Sequence, residues 1–170
     1  LDMLLWLADA ECTSISSFGS LTHFKAENAP EGAPERCLDG CPVSDTCLYY
    51  APKQYLTDNV GWPTATISDD LSMEARIKVL QTGPYGRCVY HCDNDVVDHQ
   101  SVNMELVDGT TVQMLMQGQG DEEGRTMRYD GTRATLYGRF VHGRNKLTIR
   151  YHRTGEEEDV PIIARDDSGH

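Results

Sequence analysis

The sequence lacks any apolar run near the ~18 residues that a membrane-spanning helix needs. No membrane-spanning helix is therefore expected from these residues. It also lacks a basic surplus. Fifteen Lys and Arg stand against 27 Asp and Glu, a formal net charge of −12. Nucleic acid and anionic membrane both require a basic surface, so neither is expected as a partner. There is no strand followed by G-x-G-x-x-G, the phosphate-binding fingerprint of dinucleotide domains. The closest glycine cluster, GQGDEEG at 118–124, carries Asp121, Glu122 and Glu123, which would repel a pyrophosphate. Tight C-x2-C pairs of the zinc-ribbon kind are missing, as are internal repeats and a secretory charge pattern. A cytoplasmic location is the expectation that follows.

What is present suits one domain. The chain has 170 residues, 39% hydrophobic and 25% charged, ordinary values for a globular protein. The acidic groups Asp121-Glu122-Glu123, Glu156-Glu157-Glu158-Asp159 and Asp166-Asp167 fall in turns or near the end and read as solvated loop charge. The opening LDMLLWLADA is apolar and helical in character, and DDSGH closes on no element. Together they predict a piece of a longer polypeptide.

Residues 2–10 suit a packed helix and 13–22 a Ser/Thr-rich strand. Residues 26–47, with three Pro and two Gly, predict a long loop. A short helix over 48–57 requires Pro52 in its first turn. Ser68-Asp69-Asp70 resembles a cap for a helix over about 70–81, with Leu71, Ala75, Val79 and Leu80 on one side. Gly83-Pro84 ends it. The periodicity then changes to two. Val102, Met104 and Leu106 alternate with polar residues, Asp108-Gly109 signals a hairpin, and Val112, Met114 and Met116 follow. Met127 with Tyr129, then Leu147, Ile149 and Tyr151, and last Val160 with Ile162 continue the pattern. Met104, Met114, Met116 and Met127 read as core. The expected fold class is α+β: an open, mostly antiparallel sheet with helices on one face and a polar face left open.

Six cysteines are spaced C-x3-C-x5-C at Cys37, Cys41 and Cys47, then C-x3-C at Cys88 and Cys92, with Cys12 apart. Three readings stay open. They are small core residues, disulfides, or thiolates holding zinc. In the zinc reading Cys37, Cys41 and Cys47 pin the long loop, and Cys88, Cys92 or His91 is the fourth ligand.

The densest polar stretch is HCDNDVVDHQ at 91–100. It reads as a polar approach to a strand or as part of a metal site with His91 and Cys92. As a cleft wall, Asn94, Asp95 and His99 would pair with the hydroxyls of a polyol. An Asp98–His99 acid–base dyad is disfavoured, since neighbours on a strand point to opposite faces. Asp95 and His99 would share a face only if the segment were regular. Arg87 suits a carboxylated sugar or a surface ion pair. His23, His142 and His152 show no partner pattern.

Several segments together resemble the Gfo/Idh/MocA oxidoreductases. LDMLLWLAD resembles the helix that follows the family's catalytic His-Asp pair. GSLTHFKAENAPEGAPERCLDGCPVSDTCLYYAPKQYL resembles the loop and helix insert of one branch. YGRCVYHCDNDVVDHQSVNMELVDG and EEGRTMRYDGTRATLYG resemble strands of its C-terminal sheet, and SGH the start of a Gly-rich stretch. The resemblance implies a C-terminal domain whose sheet lines the substrate cleft and whose open face joins subunits into dimers or tetramers. It implies a sugar or polyol substrate, and NAD or NADP bound by a Rossmann domain that this chain lacks. The family's proton-handling lysine motif is missing, and its histidine would precede Leu1. Asp2 is the one residue that matches the interdomain motif, so this chain alone is expected to be inactive. The alternative is a non-catalytic association module with a cysteine-bound structural metal.

Overall fold

A computed structural model describes residues 2–120, 123–141 and 144–162. The acidic residues Asp121, Glu122, Asp166 and Asp167, His142, and the closing SGH lie outside the described residues. The fold is α+β with antiparallel pairing throughout. The chain divides into two compact units, Leu1–Gly118 and Gln119–His170. The strands are shared between two sheets rather than forming one run, and the division falls at the glycine-bearing loop after residue 117.

In the first unit, α1 (Asp2–Ala8) precedes β1 (Cys12–Ser20). Asp2 sits in the helix's first turn, where a carboxylate meets the positive end of the helix dipole. Asp9 follows with φ 50°, the left-handed conformation that ends the helix. Strand β1 pairs with β2 (His99–Leu106), which pairs with β3 (Thr111–Gln117). The alternation read from the sequence is what the sheet uses. Val102, Met104 and Leu106 are buried, and Leu4, Leu5 and Ala8 of α1 pack on them with Val112 and Met114.

The other helices build a second cluster. α2 (Ala51–Tyr55) carries Pro52 in its first turn, as expected. α3 spans Met73–Thr82 and starts later than about residue 70. Ser72, not Ser68, is its cap: the Ser72 Oγ accepts from the Ala75 amide at 3.3 Å. Ser68 and Asp70 instead hold the turn before it, each accepting an amide two residues on. Cys37, Ala51, Ile67 and Leu80 are buried together, with Tyr50, Tyr55 and Val79 against them. Arg76 is buried too, an assignment that hydrophobic periodicity does not make. Its guanidinium donates to the Tyr55 and Thr57 carbonyls at 2.8 Å each. Gly86 passes so close to α3 that a Cβ there would lie 1.7 Å from the Leu80 carbonyl oxygen.

The second unit is a four-stranded meander: β4 (Gly124–Asp130), β5 (Ala134–Val141), β6 (Arg144–Tyr151) and β7 (Glu157–Val160). Strand β5 was not marked by the period-two reading, although its first part falls in the strand-like segment EEGRTMRYDGTRATLYG. Gly138 interrupts its apolar pattern because Met127 lies across it, where a Cβ would come 2.5 Å from the Met127 side chain. Register puts Met127, Leu136, Phe140, Leu147 and Ile149 on one face. The other face carries ion pairs, among them Arg128–Asp130 at 2.9 Å and Lys146–Asp159 at 3.1 Å.

Leu80 is fully buried in the second cluster. Truncating it as Leu80→Ala removes apolar contact and leaves a cavity, at a cost of about 2–5 kcal/mol. Urea denaturation of wild type and variant checks this. A cost below about 1 kcal/mol would mean that α3 does not pack as described.

Candidate functional site

The polar stretch 91–100 organises around Asp98. Its side chain is 3% exposed. One carboxylate oxygen accepts from the Thr22 amide at 2.9 Å, the His23 amide at 2.6 Å and the Phe24 amide at 3.4 Å. The other accepts from the Thr22 hydroxyl at 3.3 Å and lies 2.8 Å from the His99 Nδ1. Burial pushes the carboxyl's pKa up. The His23 amide, the His99 ring and the Thr22 and Phe24 amides pull it down further, leaving it well below the ordinary range. Asp98 is therefore an anion.

An ionised carboxylate only accepts, so the His99 Nδ1 donates to it and Nε2 is turned the other way. That Nε2 stands 3.4 Å from the Ser20 hydroxyl, across the pair Ser20↔His99 that opens the β1–β2 ladder. Ser20, His99 and Asp98 thus form a line of hydroxyl, imidazole and buried carboxylate. The arrangement can accept a proton from a hydroxyl at the sheet surface and stabilise the resulting imidazolium. The Asp98–His99 dyad disfavoured by strand geometry therefore forms. Asp98 precedes the first residue of β2, so the rule of alternating faces does not separate it from His99. Ser20 is the member that sequence reasoning missed. Only the cross-strand register brings it to His99, 79 positions away.

The remaining sequence-selected residues separate. Asn94 and Asp95 are exposed on the irregular loop before β2. The Asn94 side chain accepts from its own Val96 amide at 3.4 Å. Asp95 and His99 share no regular strand, so the condition for a common face is not met. Arg87 pairs with Asp93 at 2.7 Å, the surface ion pair that was its competing reading. Asp2 lies exposed at the start of α1.

His99 opens onto the face of the first sheet opposite α1. Register places Phe18, Ser101 and Leu115 in one row of that face, Ser20, His99 and Gln117 in the next, and Ser16, Asn103 and Gln113 beyond. Phe18 is 77% exposed and Leu115 68%. Around them the surface is hydroxyl and amide, with charge confined to Glu105 at its far end.

The cysteines gather only in part. None is in a disulfide. Cys37, Cys41, Cys47 and Cys88 line one small cavity. Burial pushes the Cys37 thiol up in pKa against a hydrogen bond at Ala51, and its neighbours Cys88, Cys41 and Cys47 push it up too. Cys92 instead turns its thiol to the Cys88 carbonyl at 3.2 Å, and the His91 Nε2 lies 3.1 Å from the Ala33 carbonyl. An aromatic cluster of His23, Phe24, Tyr49 and Tyr90 stands next to these segments, with the Tyr90 hydroxyl 3.2 Å from the His23 Nε2.

Compared with known proteins, the chain matches no family model, no curated protein and no solved structure.

The depressed Asp98 carboxyl makes stability depend on pH. A carboxyl that is more acidic folded than unfolded contributes stability fully present above about pH 4 and lost as pH falls below it. Asp98→Asn removes that linkage. Thermal denaturation between pH 7 and pH 2 should show a lower melting temperature for the variant at pH 7 and a shallower fall on the acid side. Parallel curves for the two proteins would contradict the hydrogen-bonding described.

Proposed function

We propose that this chain is the substrate-side and association domain of an NAD(P)-dependent oxidoreductase acting on a sugar, a polyol or a derivative. The observation that carries the reading is the open face of the first sheet. In a chain of net charge −12, an exposed surface of Ser, Asn, Gln and His around Phe18 and Leu115 stands out by its lack of charge. Depletion of charge around apolar anchors marks surfaces that meet a partner. Hydroxyls and amides also match the donors and acceptors of vicinal diols. His99, oriented by Asp98, supplies a base at the edge of that face; Asn94, Asp95 and Arg87 are further substrate-side candidates by their polar chemistry, and Asp2 is the one residue the resemblance adds.

The glycine cluster at 118–124 does not suit a dinucleotide. Gly118 and Gly120 lead through Glu123 into strand β4, not into the N-terminus of a helix. NAD or NADP belongs, in this reading, to a separate Rossmann domain, and the hydride chemistry is the nucleotide's. Among the described residues no helix is long and apolar enough to cross a membrane. A cytoplasmic enzyme is consistent with that.

Two experiments test the reading. Sequencing the gene through the codon for Leu1 should reveal a coding region of roughly a hundred residues or more, the size of a nucleotide domain. It should carry a strand followed by G-x-G-x-x-G and end in His-Asp. A gene without that region refutes the oxidoreductase assignment. Sedimentation equilibrium should find the chain self-associated, and Phe18→Glu with Leu115→Glu should return it to a monomer without lowering its melting temperature, because both side chains are exposed. A monomeric wild type at about 100 μM would remove the association role.

A further inference from the structure

We propose that Cys37, Cys41, Cys47 and Cys88 form a four-thiolate site for one thiophilic metal ion, closed by the long loop. The inference is independent of the oxidoreductase reading.

Backbone pairing first sets Cys37 beside Cys88. Arg36 and Arg87 form an isolated antiparallel bridge. The Cys37 amide donates to the Gly86 carbonyl at 2.9 Å, and the Cys88 amide donates to the Glu35 carbonyl at 2.8 Å. Gly86 packs so close to α3 that only glycine fits there, since a Cβ would lie 1.7 Å from the Leu80 carbonyl oxygen. The Arg36 guanidinium reinforces the bridge by donating to the Leu80 carbonyl at 2.9 Å and to the Gly83 carbonyl. Two residues far apart in sequence are thus held next to each other by main-chain geometry.

The loop then brings in the other two. Gly40, at φ +82°, reverses the chain directly before Cys41. The Ser44 amide donates to the Cys41 carbonyl at 3.3 Å and the Cys47 amide to the Val43 carbonyl at 2.8 Å. These two successive turns return Cys47 toward Cys41. All four cysteines line the same cavity of about 10 Å³, room for a single small centre.

The loop has little else to hold it. From Ala26 to Tyr50 the chain forms turns, one short 3-10 segment and the single Arg36–Arg87 bridge, and Cys37 is the one buried residue. An ordered loop this long without secondary structure of its own is uncommon and usually functional. Among the described residues no three His, Cys, Asp or Glu side chains are gathered as tightly as a bound ion requires. Binding therefore requires the thiols to turn inward toward the cavity they share, each losing its proton to solvent. Four sulfur ligands around one centre select zinc or a comparable soft metal. Cys92 and His91 do not line this cavity and turn instead to the Cys88 and Ala33 carbonyls.

Zinc is the probe. The reduced chain should take up one equivalent of zinc, with a rise in melting temperature. Bound zinc should protect four of the six thiols from alkylation, and mass spectrometry should map them to positions 37, 41, 47 and 88. Cys88→Ser should weaken zinc binding more than about tenfold, beyond the smallest effect of a lost outer contact, while Cys92→Ser and Cys12→Ser bind as wild type. The alkylation pattern is read on the wild-type chain, so it stands even where a variant fails to fold. No uptake, protection of Cys92 in place of Cys88, or equal losses in Cys88→Ser and Cys92→Ser would overturn the proposal.

Discussion

The first unit hangs on one carboxylate. Asp98 is nearly sealed from water, and a buried charge is tolerated only where its lone pairs are met. Three consecutive amides from Thr22 to Phe24, a hydroxyl and an imidazole meet them. The consequences run in three directions. The turn after β1 is fastened to the start of β2, which sets the register that pairs Ser20 with His99. The ring of His99 is oriented. His23 and Phe24 are held where their rings meet Tyr49 and Tyr90, on the two segments that carry Cys47 and Cys88.

The same sheet serves two environments. Period-two alternation sends Val102, Met104 and Leu106 beneath α1 and sends Ser101, Asn103 and Glu105 to the opposite face. Because a one-residue slip would exchange these sets, the register is strongly specified. His99, Ser101, Phe18 and Leu115 are therefore held on the open face as firmly as the core is held under the helix. A surface fixed this way can present base, hydroxyls and apolar contact in constant geometry, which substrate binding and subunit association both require.

Strand periodicity made the sheet core legible. Val102, Met104 and Leu106 announce the buried face without any tertiary information, and Asp108-Gly109 marks its hairpin. Local rules served less well where non-local contacts decide. Ser72 caps α3 although Ser68 stands before more acidic residues, because helix start depends on where the chain can turn into the cluster. Arg76 is buried because two carbonyls of the preceding loop receive it, which no periodicity reports. The split into two sheets follows from a glycine loop that looked like one more turn. The candidate site was legible in composition and hidden in geometry. HCDNDVVDHQ contains Asp98 and His99, a pair that strand alternation disfavoured, and Ser20 joins them only through strand pairing. The choice of Cys88 over Cys92 likewise needs the Arg36–Arg87 bridge, which spacing alone does not encode.

Amide hydrogen exchange at Thr22, His23 and Phe24 tests the central role of Asp98 most directly. These residues lie beyond the end of β1, where a free loop would exchange within the dead time of the measurement. If the carboxylate fastens the unit as described, the Thr22 and His23 amides will be protected to nearly the level of Val102 and Met104 in the core. Rapid exchange at both amides, with the sheet still protected, would contradict the account.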